Sequence, residues 1–319
     1  MIKKVVFIGG NRFGELGPIL FFIDVCREKN LETFLITDSN HLKYECSSNS
    51  IFEDELKKKS INFISVDKID ENVIRIFSED VLIFSVNCHW IFKKDIIDLV
   101  RGRIINYHNS CLPEQKGAGC HSWRIMQGVN NVRLTFHHLI EHIDMGDIVY
   151  EKELLIPLNK RTLKENYDYI SKFETDAFRN CLNKIEKEFP KINIIKKNHR
   201  KDFYWPKLNT DKDGWIDWSW SAEDIVRFCN AFDDPFSGAS TYLNGERIRL
   251  KKVKTVDESI KFHPFQYGLI YHIEKSNVLV ACKNGGIQID ELIISKSVNI
   301  RKGKRFYTDI QTLENAKFN

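Results

Sequence analysis

The sequence predicts an α/β protein, with a doubly wound, mostly parallel sheet in residues 1–200 and a smaller, mostly β domain in residues 201–319. Three observations carry this. Short, mainly apolar runs at 5–8, 33–36, 63–66, 81–84 and 103–106 alternate with helix-like stretches, the pattern of strands covered on both faces by crossover helices. Apolar residues then recur at spacings of three and four through Leu163, Tyr167, Ile170, Phe173, Ala177 and Cys181, as on one face of a long helix. Beyond Lys191 the composition shifts to crowded basic residues (Lys196, Lys197, Arg200, Lys201), the aromatic cluster Phe203-Tyr204-Trp205-Pro206, and short runs broken by Asn244-Gly245 and Asn284-Gly285-Gly286.

The elements follow in order. Val5-Val6-Phe7-Ile8, the turn Gly9-Gly10, the apolar segment Leu16 to Val25 and Thr33-Phe34-Leu35-Ile36 read as strand, turn, helix, strand, the opening of a βαβ unit. This is a Rossmann-like beginning. Arg133 to His138 reads as one further strand. Thr162 and Glu165 form a capping box at the start of the long helix, which fades near Phe189-Pro190. In the second domain, Ser221 and Asp224 cap a short helix with Ile225, Phe228 and Phe232 on one face.

Composition narrows the function. A chain of 319 residues, 42% hydrophobic, can bury a substantial core. Its net charge of +4, from 48 basic and 44 acidic residues, does not by itself point to nucleic acid. Gly-Gly-Asn-Arg at 9–12 interrupts the N-terminal apolar run too early for a signal peptide. No stretch approaches the roughly 18 unbroken apolar residues of a membrane span. Eight cysteines lie scattered without a Cys-x-x-Cys pair, so neither a zinc site nor a disulfide framework is expected. The expectation is a reduced cytoplasmic protein with no metal, nucleic acid or membrane partner.

The chemistry-bearing residues lie where an apolar run stops. In INYHNSCLPEQKGAG at 105–119, Asn106 and His108 are two apart, so a strand would present them on one face at its carboxyl end, the edge at which open α/β sheets bind ligands. The Gly-containing loop His142 to Asp147 could return Asp144 over the pair. Asn, His and Asp together can donate to an oxyanion, transfer a proton and hold an imidazole's charge. Each also has a bland role, as a turn former, a satisfied histidine or a loop carboxylate.

Asn-x-His-x-Ser-x-Leu-Pro (Asn106, His108, Ser110, Leu112, Pro113), a glycine loop and a later Asp-x-Gly (Asp144, Gly146) resemble the signature of the 10-formyltetrahydrofolate-dependent formyltransferases. Asp80 to Phe84 with Trp90-Ile91-Phe92 looks like that family's folate-receiving strand and loop. Asp213 to Trp218, Asp234 to Ala239 and Tyr242 to Gly245 look like its second-domain motifs. The resemblance runs from Val5 to about Leu250 and leaves the last seventy residues without a counterpart. It implies N10-formyltetrahydrofolate as co-substrate, held at Trp90, Ile91, Phe92, Ile140 and Glu141, with Asn106, His108 and Asp144 catalytic. Asp144 would keep His108 protonated and take the acceptor amine's proton through water. Lys116 to Trp123 departs from the Arg-Gly-Ala-Ala-Pro of the tRNA enzymes and looks like the sugar-nucleotide group. Residues 37–55 hold only Lys43 as a cation against Asp38, Glu45, Glu53, Asp54 and Glu55, the reverse of what a phosphate backbone wants.

The acceptor implied is a nucleotide-linked, dTDP-type amino-dideoxy sugar of surface polysaccharide (O-antigen) synthesis. Asn11, Arg12, Ser110, Lys116, Trp205 and Lys207 are its candidate contacts, and a homodimer is left open. Tyr204 and Trp215 join Trp205 as candidates for base stacking, against an ordinary place in an interface core. His137 and His138 are assigned simply to their strand, and Cys111 has no base partner in sequence. Three other readings stay open: methionyl-tRNA formyltransferase, a non-catalytic folate-binding module, and an NAD-dependent dehydrogenase. The last rests on Ile8 to Gly14 followed by Asp38, but Asn11 stands where a glycine should let the pyrophosphate approach.

Overall fold

A computed structural model describes residues 2–11, 17–47, 50–75, 81–100, 103–188, 194–195, 203–256, 259–294 and 298–317. Arg12, Leu16, Asp80, Phe189, Pro190 and the basic residues Lys196, Lys197, Arg200 and Lys201 lie outside them. The chain divides into two compact units. The first comprises 1–117, 131–156 and 167–205, and the second 118–130, 157–166 and 206–319. Two short segments from within the first 200 residues therefore belong to the second unit.

In the first unit, β1 (Lys4–Gly9), β2 (Glu32–Thr37), β3 (Phe63–Ser65), β4 (Val81–Val86), β5 (Ile104–His108), β6 (Asn131–His138) and β7 (Ile148–Leu155) form a seven-stranded sheet. Its order is β7-β6-β5-β4-β1-β2-β3. Pairings from β3 through β5 are parallel, and β6 and β7 add antiparallel. The order reverses between β1 and β4, the switch point at whose carboxyl edge doubly wound sheets hold ligands. The expected mixed α/β architecture is the one observed, with β7 as an antiparallel strand that the apolar pattern did not single out.

Strand parity separates two cores. Val5, Phe7, Leu82, Phe84 and Ile105 face a cluster completed by Phe22 of α1 (Ile19–Glu28) and by Ile170, Phe178 and Leu182. Val6, Ile8, Ile83 and Ile104 face the other, completed by Phe92 and Ile96. The helix Leu163–Glu188 carries the predicted capping box, with the Thr162 and Glu165 backbone N–H groups donating to each other's side chains at 3.0 and 3.3 Å. Phe178 stacks on Phe22 at 4.2 Å between centroids and meets Phe84 edge-on at 4.9 Å.

The second unit has a five-stranded sheet in the order β8 (Ala239–Leu243), β9 (Glu246–Val256), β12 (Gly285–Ile293), β11 (Asn277–Cys282), β10 (Ile270–Glu274), all antiparallel. Asn244 and Gly245 turn β8 into β9 with φ of 54° and 85°, the positive pair that a tight primed hairpin requires. The helix Ala222–Ala231 is capped by the Ser221 hydroxyl, which accepts from the Asp224 N–H at 3.1 Å. Among the described residues no helix is long and apolar enough to cross a membrane.

One polar device lies inside the first core. Tyr107 of β5 donates its hydroxyl proton to Glu174 Oε1 at 2.7 Å, and burial pushes the Glu174 carboxyl up to about 7 from 4.5, against the Tyr107 and Asn109 hydrogen bonds that lower it. The folded protein therefore keeps a proton that the unfolded chain releases between about pH 4.5 and 7, so this group's stabilisation is full at low pH and is lost as pH rises through that window. Glu174→Gln retains an acceptor for Tyr107 and removes the titration. Measured by urea unfolding at pH 5 and pH 8, the variant should gain on the native protein by on the order of 3 kcal/mol across that interval. A parallel decline in both proteins would show that Glu174 is ionised throughout.

Candidate functional site

The strand period builds the site. Ile105 and Tyr107 enter the first core while Ile104 joins the second, so Asn106 and His108 share the remaining face at the last turn of the pleat. The loop after β5 then folds back on His108. His108 Nε2 lies 2.8 Å from the Gln115 carbonyl and 2.5 Å from Ser110 Oγ, while Ser110 Oγ donates to the same carbonyl at 2.9 Å. A carbonyl only accepts, so Nε2 carries a proton and the ring's variable proton is at Nδ1. Nδ1 faces Asp144 Oδ2 at 3.9 Å.

Asp144 leaves β6 on a loop, at φ 53°, a left-handed conformation that Asp tolerates better than most residues. Its Oδ2 accepts the Gly117 N–H at 2.8 Å, and its Oδ1 lies 3.5 Å from His137 Nε2. Burial would raise this carboxyl, but His108, His137 and the Gly117 N–H together hold it well below the usual carboxylate range. It is an anion at any physiological pH. Held as an anion, it faces the His108 and His137 rings at 3.9 and 3.5 Å, close enough to stabilise positive charge on them.

His137, assigned from sequence only to its strand, is the main residue that sequence reasoning missed. It is 2% exposed and stands directly across the antiparallel ladder from Asn106. Its Nδ1 lies 2.9 Å from the His138 carbonyl and so carries a proton, and its Nε2 lies 3.1 Å from the Asn106 side-chain amide as well as 3.5 Å from Asp144 Oδ1. That contact holds the Asn106 amide in one orientation. No periodicity marks this contact, because it exists only in the register of β6 against β5.

The other expected residues divide. Trp90 and Leu139 pack on the second core, beside which Ile91 and Ile140 stand 76% and 40% exposed. Phe92 is core, and Glu141 is exposed. Ser110 is buried as a partner of His108 rather than turned outward. Asn11 is 1% exposed and its amide donates to Cys46 Sγ at 3.3 Å, an inward orientation from which the expected phosphate contact does not follow. Lys116 is buried; its backbone N–H donates to the Phe203 carbonyl in a short ladder, where the Trp205 indole donates to the Glu114 carbonyl at 3.1 Å. Lys207 is exposed, in the second unit. Trp215, also there, is buried with its ring 4.4 Å below the Arg247 guanidinium and 4.8 Å from the Tyr242 ring, so it is core rather than a stacking platform.

A family model described as formyl transferase matches residues 3–182, and one described as formyl transferase, C-terminal domain, matches 209–304. The second match carries the likeness past Leu250, where the sequence motifs stop. Methionyl-tRNA formyltransferase of Alkaliphilus oremlandii is 29% identical over 205 residues, 64% of this chain and 64% of that protein. That of Acetivibrio thermocellus is 28% identical over 207 residues, 65% and 64% of the two chains. The chain thus spans about 64% of the length of these curated relatives. Among solved structures, WlaRD, a sugar 3N-formyl transferase crystallised with dTDP and 5-N-formyl-THF, superposes with a TM-score of 0.68 at 16% identity, covering 91% of this chain and 97% of that one. The N-formyltransferase from Helicobacter canadensis, in complex with folinic acid and dTDP-3-aminofucose, gives 0.70 at 15%, covering 95% and 100%. At these identities the likeness is one of fold.

The Asp-x-Gly spacing has a steric cause. A Cβ at Gly146 would lie 1.7 Å from the His138 carbonyl oxygen, so only glycine lets the loop return close enough to bring Asp144 to His137. Gly146→Ala should lower stability by about 2 kcal/mol or more and displace Asp144, detected by calorimetry together with the histidine ring resonances. An unchanged melting temperature with unchanged resonances would show that the close approach is dispensable.

Proposed function

Because the chain belongs to the formyl transferase family, we propose that it moves the formyl group of N10-formyltetrahydrofolate onto the amine of a nucleotide-linked amino sugar. The observation that carries this is the triad itself: Asn106 and His108 side by side at a strand's carboxyl end, with Asp144 ionised behind the imidazole. The folate forms and dTDP compounds in the two structural neighbours are consistent with it.

The residues fit such a donor. The exposed Ile91 and Ile140, beside the cluster that Trp90 and Leu139 cover, offer apolar contact edged by loop backbone to a flat heteroaromatic ring. Formyl-folate, when bound, supplies an electrophilic formyl carbon. This chain's residues supply the field around it. The Asn106 amide and the His108 imidazole are the donors for an oxygen that gains negative charge. The Asp144 carboxylate lies beside Nδ1, and Ser110 and Gln115 keep the ring from turning. His137 holds the Asn106 amide.

Two observations favour a sugar nucleotide over tRNA as acceptor. Residues 37–55 are acidic, and the lysines that follow are each engaged by a carboxylate: Lys57 by Glu53, Lys58 by Glu55 and Lys59 by Asp24. The names of the sequence relatives favour tRNA. The two are separated by assaying formyl-folate with a panel of dTDP-linked amino sugars and with methionyl-tRNA. Sugar formylation should be detected by mass, and tRNA formylation should be absent. Efficient tRNA formylation, falling steeply as salt rises, would select the second acceptor.

His108→Ala, Asn106→Ala and Asp144→Ala should each lower kcat by on the order of 10² or more, with the fold intact by circular dichroism. Near-native turnover in a folded His108→Ala protein would overturn the catalytic assignment whichever acceptor is used.

A further inference from the structure

We propose that Asp38, His41 and His89 form a binding site for a single divalent transition-metal ion at the switch-point edge of the sheet. The three side chains come from different elements: Asp38 follows β2, His41 lies in the short helix Ser39–Leu42, and His89 follows β4. β1 runs between β2 and β4, so the cluster straddles the reversal of strand order. Each residue offers one ligand atom, and the three atoms lie within 4.8 Å of one another.

The donors are held in advance. Asp38 caps the short helix with Oδ1, which accepts the Asn40 and His41 N–H groups at 2.7 and 3.1 Å. That fixes the carboxylate and turns Oδ2 toward both imidazoles, 2.5 Å from His41 Nδ1 and 3.3 Å from His89 Nδ1. His41 is 3% exposed and sits flat against the turn after β1, where a Cβ on Gly10 would lie 2.4 Å from its Cγ. Glycine at 10 is therefore what admits the ring, a role unlike phosphate approach. His89 is the outer member, its side chain 46% exposed and its ring 4.5 Å from Trp90.

The spacing suits a small ion with nitrogen and oxygen ligands. Bonds of about 2.0–2.1 Å in a tetrahedron put neighbouring donor atoms about 3.3 Å apart. Asp38 and His89 already have that separation, while Asp38 and His41, now 2.5 Å apart, would have to open by about 0.8 Å around the ion. Two imidazoles and one carboxylate on the same ion select Zn(II), Co(II) or Ni(II) over Mg(II) or Ca(II), which prefer all-oxygen shells. The fourth position opens beside the half-exposed His89. Such an ion would tie the end of β2 to the loop that carries Trp90, and the inference stands whether or not the chain transfers formyl groups.

The test uses the full chain, stripped with chelator and then dialysed against Zn(II), with metal content and thermal unfolding as readouts. The native protein should take up one ion per chain with a rise in melting temperature, and Co(II) should give the visible absorption of a four-coordinate site. His89→Ala, at a half-exposed position that spares the fold, and Asp38→Asn, which retains the helix cap, should each weaken binding at least tenfold. Failure of the native protein to bind stoichiometrically would overturn the proposal, leaving an ion-paired cluster. So would binding that both variants retain, which would place the ion on other histidines.

Discussion

Everything at the candidate site depends on the parity of one strand. β5 is pinned from its inner face, where Tyr107 passes through the aromatic cluster to reach Glu174 and Ile105 packs below it. A slip of one residue would bury Asn106 and His108 and expose the tyrosine, exchanging a satisfied buried pair for two unsatisfied polar groups. The hydrogen bond between Tyr107 and Glu174 is therefore a register lock as well as a core contact, and Asn109 shares the same carboxylate.

On the outer face, the charges are arranged around Asp144. One carboxylate meets two histidines and a backbone N–H while almost wholly buried, and only the sum of those partners outweighs the desolvation that would neutralise it. The glycines on either side are part of the same arrangement. Gly117 supplies the N–H at φ 92°, and Gly146 gives the loop its clearance from the β6 backbone. The loop is thus built around the carboxylate, which faces His108 Nδ1 at 3.9 Å.

The switch point adds a second set of polar residues a short way along the same edge. Asp38 would be the ribose-binding carboxylate in a dinucleotide reading, but here its two oxygens are taken up by a helix N-terminus and two imidazoles. Asn11, in the turn after β1, is folded inward against Cys46. At this edge Asn11 and Asp38 are both engaged by other groups of the chain, which weighs against the dehydrogenase reading.

The sequence by itself determined most of the elements and where Asn106 and His108 lie in them. Two-sided apolar runs separated by helical periodicity specify a covered parallel sheet, Thr162 with Glu165 starts the long helix, Asn244-Gly245 fixes a hairpin, and the spacing of Asn106 and His108 places both on one face of a strand end. These are local facts, written in side-chain period and in residues that tolerate special backbone angles. What only the tertiary structure decided is which groups meet across elements. His137 reaches Asn106 through the antiparallel register of β6 on β5, Glu174 reaches Tyr107 across the core, Asn11 turns inward, and Asp38 gathers two histidines from separate segments. Such contacts leave no periodic trace, because they depend on the order and register in which strands far apart in the chain are laid side by side.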